Sequence, residues 1–217
     1  MPPIRCFLIE PTDRVRQKLR RYSRGDSACP TMSGSYSYHD AEMPIADAPA
    51  VFYELHPGVI CNGARREDAE AYVNDPRWPA YCACGYAFTA DDPRQLFCDL
   101  IYRRADTGEE MTLREAPAGA MWRAEWQRSF CCSQDDGAPL MVRLPDGTEW
   151  CVDGHANNCN WPDGDIHQDQ HHCWPRRGVP PDVGVSKDYS PTCTAGAGSI
   201  ASHGYHGYLR EGYLADA

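Results

Sequence analysis

The sequence predicts an α+β fold in which small antiparallel hairpins, a few short helices and long loops are combined. Two stretches follow a strand–turn–strand pattern, and others have the apolar spacing of short helices. Val, Ile, Leu and Phe together account for only 31 of the 217 residues, whereas 12 Tyr, 6 Trp and 12 Cys are present. Aliphatic burial is therefore scarce, so aromatic packing and a cross-link through cysteine are expected to supply the missing stability.

The first predicted helix covers residues 13–22. Thr12 is suited to be its N-cap, and Val15, Leu19 and Tyr22 are spaced to share one helical face.

The other predicted elements are short. Residues 4–9 are expected to form a strand, 25–50 an ordered loop or a linker, and 65–73 a short helix that stops before a proline. A further helix is predicted over 118–127, and regular structure is expected to fade beyond residue 153.

Two hairpins are predicted in the middle of the chain. The first spans 95–115, with Thr107 and Gly108 in its turn, and the second spans 139–154 around a Pro-Asp-Gly turn at 145–147.

The charge balance limits the partners that this chain can attract. With 21 basic and 31 acidic residues the net charge is −10, which works against non-specific binding to nucleic acid or to anionic membranes. The N-terminal residues are locally basic, so a basic helix over 13–24 is a candidate for docking on an acidic protein partner or on the acidic body of this same chain. A solvated helix face is the alternative, and the sequence leaves oligomerisation open.

Cysteine supplies the clearest chemical pattern. The stretch YCACGYAF contains Cys82 and Cys84, and Gly85 allows the backbone to turn sharply after the second sulfur. Zinc binds four ligands in a tetrahedron, and two neighbouring thiolates commonly supply half of them. Ordinary buried thiols are the alternative interpretation of this pair.

The remaining ligands have to come from a distant segment, and NNCNWPDGDIHQDQHHCW is the richest source. The preferred ligand set is Cys82, Cys84, Cys159 and either His171 or Cys173. Cys29 and Cys193 are reserve ligands, and a polar loop with surface histidines is the alternative. The predicted fold is thus a zinc-stabilised α+β fold, with an N-terminal segment of strand, basic helix and ordered loop over 1–60 and a Cys/His-rich body over 61–217, joined in one compact unit.

A catalytic zinc and a structural zinc require different residues around the metal. His167 and His171 have the spacing of the H-E-x-x-H metalloprotease motif, but Gln168 stands where that motif has its glutamate and cannot act as a base. A hydrolase would need an open position on the metal and a nearby carboxylate. With three or more sulfurs a structural zinc is favoured. The stretch SYSYHD at 35–40 is not predicted to be catalytic, because triads assemble in space rather than within a hexapeptide.

The sequence is similar to uncharacterised proteins of phages and proteobacteria in the stretches YCACGYAF, TLREAPAGAMW, NNCNWPDG, HHCWPRRG and TCTAGAGSI. More loosely, Cys82-x-Cys84-Gly, a following hairpin and the segment from Cys159 through His171 to Cys173 resemble a domain of unknown function from bacterial ubiquitin-like operons. Members of that family are proposed to be zinc-dependent hydrolases. The resemblance implies a zinc-binding phage-type protein, either a hydrolase or a non-enzymatic virion or host-interaction protein. Since no signal peptide or membrane span is evident, the expected location is the bacterial cytoplasm or a virion.

Overall fold

The computed structural model describes residues 1–23, 29–30, 38–49, 72, 74–127, 138–154, 156, 159, 173–189, 199–202 and 204–217. Within these ranges the chain forms thirteen strands and two short 3₁₀ turns, at Glu125–Gln127 and Lys187–Tyr189, and no α-helix. The strands are β1 (Ile4–Arg5), β2 (Phe7–Tyr22), β3 (Asp40–Pro49), β4 (Arg94–Arg104), β5 (Glu110–Thr112), β6 (Ala120–Arg123), β7 (Leu140–Arg143), β8 (Glu149–Cys151), β9 (Arg176–Arg177), β10 (Gly184–Val185), β11 (Ile200–Ala201), β12 (His206–Arg210) and β13 (Tyr213–Asp216).

The predicted α+β class is wrong, because the described part of the chain is nearly all β. Residues 13–22 lie in β2 instead of a helix, and 118–127 contain β6 followed by a 3₁₀ turn. The expected loop over 25–50 includes strand β3, and short strands continue beyond residue 153. Except for Tyr72, the helix predicted over 65–73 lies outside the described residues.

Both predicted hairpins are confirmed. Strands β4 and β5 are neighbours in one sheet, and β7 and β8 pair antiparallel with Val142 opposite Trp150. Their turns contain Gly108 at φ +76° and Gly147 at φ +83°, a conformation that glycine adopts without steric cost.

Met1–Pro11 and Tyr102–Ala217 belong to one compact unit, called unit 1 here. One of its sheets has the strand order β1-β13-β12-β11 and is antiparallel, with Ile4 opposite Leu214. The first residues of β2 pair in parallel with β6. In the same sheet β6 pairs antiparallel with β7, and β7 pairs antiparallel with β8. Its core includes the fully buried side chains Met121, Leu140, Val142, Leu144, Val152, Ile200 and Leu209.

The described residues between Thr12 and Ile101 form a second compact unit, called unit 2. Here β2 is bonded to β4 and pairs antiparallel with β3, from Arg14 opposite Pro49 to Tyr22 opposite Asp40. Gln17 faces Ala46 but Lys18 faces Pro44, so Ile45 of β3 is left without a partner and marks a bulge in that strand.

The basic side chains of β2 face acidic residues of the same unit. Arg20 Nη2 lies 2.7 Å from an oxygen of Asp40, and Lys18 Nζ lies 3.1 Å from Glu42 and also contacts Asp99. Ion pairs of this kind form between side chains that lie opposite each other on adjacent extended strands. These contacts therefore agree with strand β2 and not with the predicted helix. Docking of this segment on a separate acidic protein stays a prediction.

None of the helical segments in the described residues has the length and apolar character that a membrane crossing requires.

Candidate metal centre

The pairing of β2 with β3 positions the first half of the site. Beyond the last paired residues, the Ser23 N–H donates to the His39 carbonyl at 2.9 Å, and the His39 N–H donates to Ser23 Oγ at 3.1 Å. His39 is thereby fixed at the start of β3. Cys29 lies in the connection between the two strands and is buried.

The second half is a tight turn within residues 79–89, called the cysteine loop here. The Cys82 N–H donates to the Tyr86 carbonyl at 2.9 Å, and the Gly85 N–H donates to the Cys82 carbonyl at 2.9 Å. Gly85 has φ +91°, in the region where a Cβ would be strained, so the sharp turn expected after the second cysteine is present. A hydrogen bond from Phe88 N–H to the Ala80 carbonyl at 3.0 Å closes the loop at its base.

The two halves bring three thiols and one imidazole together. One ligand atom from each of Cys29, His39, Cys82 and Cys84 lies within 4.8 Å of all the others. Cys29 Sγ and Cys82 Sγ are 3.7 Å apart, and His39 Nδ1 is 3.1 Å from Cys84 Sγ. Tetrahedral bonds of about 2.3 Å, the length of a zinc–sulfur bond, would place two sulfurs about 3.8 Å apart. The spacing therefore suits ligands of one ion and is far longer than the roughly 2 Å of a disulfide.

Burial differs among the four side chains. Cys29, His39 and Cys82 are 2%, 4% and 5% exposed, whereas Cys84 is only partly buried. A bound ion would therefore be shielded by three of its ligands and would meet solvent at Cys84.

The imidazole of His39 is oriented by an aromatic stack. Its ring lies 4.0 Å from the ring of Tyr86 with the planes 5° apart, and Phe88 meets Tyr86 edge-on at 5.6 Å. The Tyr86 hydroxyl donates to Asp92 Oδ2 at 3.4 Å. Because the stack restricts the tilt of the imidazole, Nδ1 is held toward Cys84.

Crowding of the thiols affects their ionisation. A backbone hydrogen bond at Tyr86 lowers the pKa of Cys84, but burial and the neighbouring thiols of Cys29 and Cys82 raise it, and the net pKa lies above its usual value. A divalent cation would relieve this crowding, since metal binding requires deprotonated thiols and releases their protons.

The structure brings together part of the predicted ligand set. Cys82 and Cys84 both belong to the four-residue group. Cys173 is 1% exposed within the hydrophobic core of unit 1, and Cys159 packs against that core. His171 lies outside the described residues, so its role as a ligand stays a prediction.

Sequence reasoning missed His39 and ranked Cys29 only as a reserve ligand. Local spacing carries no signal for either residue. His39 is 16 residues from Ser23 and reaches the site only because β2 and β3 pair. The one usable signal was the pairing pattern of basic residues in 14–20 with acidic residues in 40–47, which would have predicted this hairpin.

These observations define the class of protein: a chain whose described residues are nearly all β and carry a Cys3His group that could hold a metal ion. No protein-family model, no curated protein and no solved structure matches the chain.

Proposed function

We propose that this protein binds one Zn²⁺ through Cys29, His39, Cys82 and Cys84, and that the ion is structural. The observation that carries the proposal is the convergence of three thiols and one imidazole within 4.8 Å. Thiolate and imidazole donors in a tetrahedral arrangement are the preferred ligands of zinc, and Cys3His is a common structural ligand set.

The number of donors supports a structural ion over a catalytic one. Four protein ligands complete a tetrahedron, whereas a hydrolytic zinc keeps one position for water. The hydrolase hypothesis therefore gains no support from this site.

The ligands also come from three separate stretches of unit 2, and Cys29 and Cys82 are 53 residues apart. A bound ion would link these stretches, so its binding free energy would contribute to the folding of the unit.

The resemblance to phage and proteobacterial proteins suggests where this protein would act. The protein would act in a phage or its bacterial host as a non-enzymatic module that contacts other macromolecules, inside the cell or in the virion. Zinc would keep unit 2 folded despite the low content of aliphatic residues.

The test is metal content by mass spectrometry on protein purified without a metal-affinity tag. We expect about one zinc per chain in the parent and, because a lost thiolate opens the site, little zinc and a lower melting temperature in Cys84→Ser. Cys98→Ser is the matched control, since Cys98 is a buried cysteine of unit 2 outside the group, and it should keep its zinc.

Cys29→Ser and Cys159→Ser separate the two ligand sets. Loss of zinc in Cys29→Ser alone supports the site described here. Loss in Cys159→Ser with retention in Cys29→Ser would place the ion on the set predicted from sequence, and a parent without zinc would refute the proposal altogether.

A further inference from the structure

Arg21 connects β2 to the cysteine loop. Its side chain is only 6% exposed, and its guanidinium donates to the carbonyl of Pro79 at 3.3 Å and to the carbonyl of Thr89. These two residues are the first and last of the cysteine loop, so one planar group holds both of its ends. The guanidinium also lies 5.4 Å from the ring centre of Phe88, inside the same loop.

The same end of β2 holds the other half of the site. Two residues after Arg21, Ser23 exchanges hydrogen bonds with the backbone of His39. Residues 21–23 thus contact the segment that carries His39 as well as the loop that carries Cys82 and Cys84. Movement of this strand end would change the distances between the ligands.

No carboxylate lies within ion-pair distance of the Arg21 guanidinium in the described part of the chain, although the charge of Asp92 acts on it from farther away. Among the described residues it forms no ion pair, both of its hydrogen bonds go to neutral carbonyls, and its Nε has no acceptor. Burial lowers the pKa of its guanidinium, the positive charge of Arg94 lowers it further, and Asp92 opposes both effects. A buried cation that no carboxylate contacts directly is costly.

The proposed metal centre, once loaded, would add a negative charge next to the loop that Arg21 contacts. Three thiolates and a neutral imidazole around Zn²⁺ carry one net negative charge. A neighbouring buried cation favours that anionic state, because the two charges attract each other strongly in a region of low dielectric.

We infer that Arg21 is a positioning residue of the metal centre, which clamps the cysteine loop and offsets the negative charge of the loaded site. This inference rests on the zinc site proposed above.

The test compares the zinc affinities of Arg21→Met, Arg21→Lys and the parent by competition with a chromogenic chelator. Arg21→Met removes the charge and both hydrogen bonds, and we expect its affinity to fall about 10- to 100-fold, as is usual when a group that supports metal ligands is lost. Arg21→Lys keeps the charge but replaces the planar fork with a single nitrogen, which reaches the two carbonyls less well, so its affinity should lie between those of Arg21→Met and the parent. Arg14→Met is the control, because Arg14 lies on the same strand and pairs with Asp47 at 3.2 Å.

Parent-like affinity in Arg21→Met would overturn the inference. If Arg21→Met does not fold even with excess zinc, Arg21→Lys decides: an affinity below that of the parent supports the inference, and an equal affinity overturns it. The absorption spectrum of the Co²⁺-loaded proteins adds a readout of ligand geometry, which should change in Arg21→Met and not in Arg14→Met. Failure of the zinc site itself would be distinct, since the parent would then bind no zinc in the same titration.

Discussion

The imidazole of His39 lies flat against the phenol ring of Tyr86, with centroids 4.0 Å apart and planes 5° from parallel. The two residues belong to different segments, one at the start of β3 and one in the cysteine loop. Their contact fixes the plane of the imidazole and leaves its Nδ1 3.1 Å from Cys84 Sγ. Because little reorientation is left for the ligands to undergo, this stack prepares the site for an ion.

Replacement of Tyr86 should therefore weaken metal binding. In Tyr86→Leu the flat surface under the imidazole is lost, and we expect zinc affinity to fall about tenfold. Tyr86→Phe keeps the ring and loses only a 3.4 Å hydrogen bond to Asp92, so it should bind zinc like the parent. Chelator competition measures both, and equal affinities in the Leu and Phe variants would show that stacking does not matter.

Removal of zinc should loosen unit 2 more than unit 1, because all four ligands lie in unit 2. Treatment with a strong chelator should speed amide hydrogen exchange in 12–23, 38–49 and 79–101. Strands β7 and β12 of unit 1 should exchange at nearly their original rates. If the chelator speeds amide hydrogen exchange equally in both units, or does not speed it in unit 2, a structural role for zinc in unit 2 would be contradicted.

Arg176→Met should strongly destabilise unit 1. Arg176 Nε lies 2.9 Å from Asp153, and both side chains are almost completely buried, at 2% and 0% exposure. Loss of the guanidinium would leave a buried carboxylate without its cation, which typically costs about 3–5 kcal/mol. Denaturant unfolding at neutral pH measures the difference. The exposed neighbour provides a control, since Arg177→Met removes only a cation–π contact 4.5 Å from the Tyr189 ring and should cost no more than about 1 kcal/mol.

The stability deficit of Arg176→Met should depend on pH. Burial already raises the pKa of Asp153 while Arg176 opposes that shift, so the pKa should rise further in the variant. The folded variant then binds a proton more readily than the unfolded chain, and its stability falls as pH rises. We expect the deficit to shrink from about pH 8 toward about pH 5. A deficit that is constant over this range would mean that lost packing, and not charge, is responsible.

Asp146→Asn should lower stability at neutral pH and matter less in acid. Burial acts to raise the pKa of Asp146, but bonds from the Ser202 hydroxyl and from the N–H groups of Thr148 and Gly204 lower it to about 2. Because the folded pKa is below the ordinary value of 3.8, this stabilisation is complete above that value and is lost as pH falls through about 2. The side chain is exposed, so we expect a loss of about 1 kcal/mol at pH 7. Thermal melts at pH 7 and about pH 3 should show the difference shrinking, and a loss that grows in acid would contradict this origin.

The elements that sequence predicted well are those specified by local chemistry. Gly108 and Gly147 mark turns that the backbone needs, and the hairpins around them form as expected. The β2 strand was mistaken for a helix because its alternation is hidden: Lys18 is buried by contacts with Glu42 and Asp99, so a charged residue occupies a position where a pattern search expects an apolar one.

Strand β6 was mistaken for a different reason. Ala120, Met121 and Trp122 are all fully buried, and a run that is buried on both faces has no period that distinguishes strand from helix.

The candidate metal centre likewise divides into residues that local sequence indicates and residues that only the fold brings in. Cys82 and Cys84 were predicted because their spacing and Gly85 are visible in four consecutive residues. Cys29 and His39 join them only through the β2–β3 pairing, which the wrong helix assignment had excluded. Their identification from one sequence required the correct topology first.

The pairing of β1 with β13 has a consequence for biosynthesis. Ile4 is translated more than two hundred residues before its partner Leu214. The four candidate ligands of unit 2, by contrast, have all been made once Cys84 emerges, and unit 2 is complete at Ile101. During translation β1 therefore lacks its partner β13 while unit 2 is already able to form. A nascent chain that stalls before β13 would expose that edge to chaperones or to aggregation.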